Sequence, residues 1–190
     1  MRVTERGDAD RKNWAAADVI RRMGPVTFDC DLATAFTLIV ELRFAAGHPV
    51  AGRSGAARRA ASFVDGLVRS VPLQFRRLIE ALSARDPTWP APPACFLPTR
   101  YESAEDLVEM SSFAIRGEIS PGTAMAVLAQ LGIALAHPVN SGPAAAVTRK
   151  FAATLRAQFP AEIPALDAIM GDVLLGSGWP TNDEGKSDGV

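Results

Sequence analysis

The chain has 190 residues, 48% of them apolar and 22% charged, with a net charge of -1. That length can bury a substantial core in one domain or two small ones. The near-neutral balance gives no ground for expecting a polyanion or a membrane surface as partner.

The first fourteen residues, MRVTERGDADRKNW, lack the apolar run of a secretory signal, so a cytoplasmic location is expected. Alanine is abundant and apolar residues recur at helical spacing. No sustained alternation stands out, and an all-α fold follows. A helix is expected over about residues 10–23, stopped by Gly24-Pro25. The next begins after a cap at Asp29 or Asp31 and ends at Gly47-His48-Pro49. It is apolar nearly all round, which marks a central helix. A third starts from Ser54 and runs to about Ser70. A fourth opens with Pro72 and carries Phe75, Leu78, Ile79 and Leu82 on one stripe. Residues 86–100 hold Pro87, Pro90, Pro92, Pro93 and Pro98, too many for a helix, so an extended linker is expected there.

The order then repeats. Residues 34–50 read TAFTLIVELRFAAGHPV and residues 123–139 read TAMAVLAQLGIALAHPV, with seven of seventeen pairs identical at a spacing of 89. Beyond this block the match continues at a spacing of 88, pairing Phe63 with Phe151, Leu67 with Leu155, Pro72 with Pro160 and Leu78 with Leu166. The spacing is too long for a solenoid unit. It predicts a tandem duplication of a four-helix unit folded as one pseudo-two-fold helical domain. Repeat 1 spans residues 10–85 and repeat 2 residues 101–176, flanked by a frayed N-terminus over 1–9 and a disordered tail over 177–190. In the second copy, helices are expected from Ser103 to about Gly117, from Ser120-Pro121, after the HPVNSGP loop, and over Leu166, Ile169, Met170, Val173 and Leu174.

His48 and His137 are the only histidines and occupy equivalent positions, so they are the candidate metal ligands or proton switch. Lying before a proline at a helix end, each also reads as a residue that hydrogen-bonds the last carbonyls, and no carboxylate or thiol sits beside either at ligand spacing. The structural reading is preferred. Thr34, Thr37 and Glu41 form a thin polar stripe on the central helix, the candidate lining of a cleft between the two central helices. There Glu41, whose counterpart is Gln130, would be the general base, but the preferred reading is that it pairs with an arginine or reaches solvent. No catalytic constellation, cofactor motif or phosphate loop accompanies them. Asp29-Cys30-Asp31 reads as an aspartate cap beside a half-buried cysteine.

The two halves diverge in charge. Residues 1–98 carry 14 basic and 10 acidic side chains, and residues 99–190 carry 6 and 11. Arg58, Arg59, Arg69, Arg76 and Arg77 align with Ala146, Val147, Ala157, Pro164 and Ala165, so this surface changed while the apolar pattern stayed. Arginine suits contact surfaces, and these five residues form the candidate partner-binding patch of a non-enzymatic interaction or regulatory module. Nucleic acid bound by the same basic helices is the alternative, and an enzyme or cofactor binder using the central cleft is a third reading.

Overall fold

The computed structural model describes residues 3–72, 113–137 and 142–170. Among them are six α-helices, one short 3-10 turn and a two-stranded sheet. In chain order these are α1 (Val3–Arg22), β1 (Val26–Asp31), α2 (Leu32–Ala46), the 3-10 turn (Ala51–Arg53) and α3 (Gly55–Ser70). There follow β2 (Ala114–Ile119), α4 (Pro121–Ala136), α5 (Pro143–Arg156) and α6 (Glu162–Met170). The expected linker, the helix from Pro72 and the C-terminal tail lie outside the described residues. The helix expected from residue 10 already begins at Val3.

Predominantly helical structure matches the expectation, but an all-α fold does not allow for the sheet. The stretch from Ala114, expected to close a helix, is strand instead. β1 and β2 pair antiparallel, with Val26 opposite Ile119, Phe28 opposite Gly117 and Asp29 opposite Arg116. Their alternation is real though short. Val26, Cys30 and Ile115 are buried on one face, while Thr27, Asp29, Arg116 and Glu118 are exposed on the other. Gly117 hid the pattern, because the inward position it fills carries no side chain. A β-carbon there would meet the Phe28 ring at 2.8 Å, so the ring of β1 lies where a side chain of β2 would otherwise stand.

Capping residues set the helix boundaries. Asp31 Oδ1 accepts from the Thr34 amide at 2.7 Å and starts α2. Ser54 Oγ accepts from Ala57 at 3.1 Å and starts α3. Ser120 Oγ accepts from Thr123 at 3.2 Å and starts α4, with Pro121 in the first turn where its missing N–H costs nothing. Gly142, at φ 94°, takes a backbone conformation that disfavours a side chain and leads into Pro143 of α5.

α2 and α4 are central and pack on each other. Leu32, Leu38, Leu128 and Leu131 are fully buried between the layers, each contributing about 1.5–3 kcal/mol of transfer free energy. α3 packs on α4 as well as α2, and α5 on α2 as well as α4, while α1 lies against α6 and α4. Phe63 of α3 meets Phe28 edge to face at 5.3 Å and Phe151 of α5 at 6.4 Å. The sheet therefore closes over a core built from both halves of the chain.

A second consequence of the sheet concerns Cys30. Burial, then the neighbouring carboxylates Asp31 and Asp29, push its thiol up to about 12. The raised value means the unfolded chain releases this proton first. The thiol's contribution to stability is complete below its unfolded value of about 8.5 and is lost as pH rises toward 12. Alkylation by iodoacetamide at pH 8, in a Cys95→Ser background, is expected to be about a thousandfold slower in the native than in the denatured protein. Equal rates would show that the thiol is accessible and ionisable.

Candidate functional site

The outer face of α3 carries the arginines that the sequence singles out. Arg58, Arg59 and Arg69 are exposed there, whereas the opposite face buries Ala57, Ala60, Phe63, Val64 and Leu67. Arg58 and Arg69 stand eleven residues apart, close to three helical turns, so they lie on one stripe about 16 Å long. Asp65 interrupts it. Arg76 and Arg77 lie outside the described residues. Arg58 and Arg59 sit at the start of α3, where the helix dipole opposes a cation rather than favouring it. Among the described residues neither has an ion-pair partner.

Arg59 reaches from α3 to the first turn of α4, and its Nη1 takes the space that a β-carbon on Gly122 would need. Beneath it opens a cavity of about 330 Å³ between α1, α3, α4 and α6. Ala16, Ala17 and Ile20 of α1, Met125, Ala126 and Ala129 of α4, and Leu166 of α6 form its apolar walls. Asn13 and Arg59 are its polar lining side chains. Pro121 has no N–H and the Thr123 amide is taken by Ser120, so the positive potential at this mouth rests chiefly on the Arg59 guanidinium. Together these features suit an apolar group attached to an anion.

The polar stripe of α2 lies elsewhere. Thr34 is half-buried with its amide on Asp31, and buried Thr37 donates its hydroxyl to the Ala33 carbonyl at 2.9 Å. Glu41 is 2% exposed and Gln130 is 1% exposed, the latter with Oε1 unpartnered. None of Thr34, Thr37 and Glu41 lines the cavity. The hydroxyl of Thr37 is engaged by the helix backbone, which is structural use of a polar residue in a buried helix.

The histidines have structural contacts too. His48 Nδ1 accepts the Ala51 amide at 3.1 Å and the Val50 amide at 3.3 Å, tying the end of α2 to the 3-10 turn. It thus accepts from the turn that follows the helix. His137 lies edge-on to Phe44 at 5.2 Å. Among the described residues no three histidine, cysteine or carboxylate side chains form a group able to hold a metal. No described helix is long and apolar enough to cross a membrane.

Of the cavity, the sequence reading had Arg59 but missed Asn13, Ile20 and Met125. Their helical spacing signals burial alike whether the space they face is filled or empty. The chain matches no protein-family model, no curated protein and no solved structure.

Proposed function

We propose that the protein is a non-enzymatic helical interaction module, which holds an acidic, apolar-tipped segment of a partner protein against α3. The apolar cavity under Arg59 carries this reading. It offers room for one large apolar side chain, while Arg58 and Arg59 stand ready for carboxylates beside it. The arginine stripe extends beyond the cavity, a length that suits a peptide segment better than a small molecule.

The proposal includes an origin for the asymmetry: the domain is a tandem duplication with pseudo-two-fold packing, in which one copy gained the arginines. Phe28 and Gly117, 89 residues apart, pair directly across the sheet. Phe63 and Phe151, 88 apart, meet in the core, and the packing of α3 on α4 has its counterpart in α5 on α2. These pairings are what a two-fold relation between the copies would give.

The test compares wild type, Arg58→Glu/Arg59→Glu and Ala17→Phe, the last narrowing the cavity from the α1 side. The probe is a labelled peptide in which aspartates and glutamates flank one phenylalanine. Binding is expected for wild type and should weaken at least about tenfold in either variant and with added salt. Binding that ignores both substitutions, or equal binding of a basic counterpart peptide, overturns the reading. Salt-dependent binding of DNA or RNA in preference to the peptide overturns it as well.

A further inference from the structure

The two edges of the sheet are treated differently. On β1 the Thr27 amide donates to Gln158 Oε1 at 3.1 Å, and Gln158 Nε2 donates to the Thr27 carbonyl at 2.7 Å. One glutamine side chain thereby occupies that edge as a neighbouring strand would. Since the Thr27 backbone faces away from β2, alternation along an antiparallel pair also turns the backbone groups of its partner Glu118, and of Arg116 and Ala114, away from β1. The residue 88 positions before Gln158 is Ser70, whose hydroxyl donates to the Gly66 carbonyl of its own helix at 3.0 Å. Among the described residues no hydrogen-bond partner reaches the outer edge of β2.

Natural sheets protect such edges with proline, bulges, lysines or a covering element. Ala114–Ile119 holds no proline, lysine or bulge, no element among the described residues hydrogen-bonds to it from outside, and the exposed residues there are Ala114, Arg116 and Glu118. The segment Arg116-Gly117-Glu118 has another property: read antiparallel against itself about Gly117, each arginine faces a glutamate. We infer that β2 is a self-association edge, pairing with β2 of a second copy of this chain to give a continuous four-stranded sheet across a two-fold axis.

In that register Arg116 and Glu118 exchange backbone hydrogen bonds with the partner's Glu118 and the partner's Arg116. Arg116 already holds Asp29 at 2.8 Å on β1. The exposed face would carry a row of alternating sign, from Asp29 through Arg116 to the partner's Glu118, and cross-strand pairs of opposite charge stabilise a sheet. On the other face Ile115 would lie opposite the partner's Ile119, so half-buried Ile119 gains cover. Gly117 at the centre lets the backbones approach without a side chain on the axis. The inference is independent of the peptide site, which lies on α1, α3, α4 and α6.

Sedimentation equilibrium of the full chain tests it. Wild type is expected to double in mass as concentration rises and to dissociate as salt screens the two ion pairs. Arg116→Glu alone and Glu118→Arg alone place like charges opposite one another, so each should remain monomeric while keeping the wild-type circular dichroism spectrum. An equimolar mixture of the two variants sets glutamates against arginines and should restore the doubled mass. A wild type that stays monomeric, a single variant that dimerises as wild type does, or a mixture of folded monomers that fails to associate would each overturn the proposal.

Discussion

Phe63→Ala is expected to destabilise the protein by about 3–5 kcal/mol, a large part of the 5–15 kcal/mol that a domain of ordinary stability has in total. Phe63 is 5% exposed and joins β1, through Phe28, to α5, through Phe151. Truncation removes the ring's transfer free energy and leaves a cavity that neither neighbour can close without leaving its own element. Urea unfolding should show the midpoint falling with an unchanged slope. A loss under about 1 kcal/mol would mean that the ring is not packed as described. Phe151→Ala in the same background completes a cycle, and the two rings should couple by about 0.5–1.5 kcal/mol because they touch.

Gly52→Ala is the second large effect, at about 3 kcal/mol. Gly52 lies in the 3-10 turn, where its amide donates to the His48 carbonyl at 2.9 Å and a β-carbon would overlap the Ala46 carbonyl. Backbone cannot swing aside as a long side chain can, so the turn itself must move. The turn leads into the Ser54 cap and the first turn of α3, which carries Arg58 and Arg59. Weaker binding of the acidic peptide should therefore accompany the fall in melting temperature. Gly24→Ala is the control: nothing lies within 4 Å of that position, and a change beyond about 0.5 kcal/mol is not expected. Equal melting temperatures for the two variants would contradict the close approach at Gly52.

Much of the helical framework was legible because its signals are local. The Asp31, Ser54 and Ser120 caps, Gly47 with Pro49, and Pro121 act within one turn of the chain, and the structure begins α2, α3 and α4 and ends α2 where those residues direct. The sheet was not legible in the same way. Each strand spans six residues, and one inward position of β2 is a glycine, so the alternation becomes visible only once Phe28 is seen to lie over Gly117. His48 follows the end of α2, as its place before Pro49 suggests, and its ring accepts from the turn that follows.

The candidate site divides along the same line. Composition set the arginines in the N-terminal half of the chain, and helical periodicity turned Arg58, Arg59 and Arg69 outward. What lies beneath Arg59 depends on how four helices meet, since Ala17, Met125 and Leu166 are ordinary core residues in any local reading. The same is true of the outer edge of β2, which no hydrogen-bond partner among the described residues reaches, whereas Gln158 reaches Thr27 on the β1 edge across 131 residues. By itself the sequence determined the matching segments 34–50 and 123–139, the caps, the central position of α2 and α4 and the charge difference between halves, all of which are read from residue identities and their spacing along the chain. Only the tertiary structure decided the strand pairing, the cavity and the unfilled edge, because contacts between distant residues depend on the shapes left when the helices pack, and a period in one segment does not record the shape of its partner.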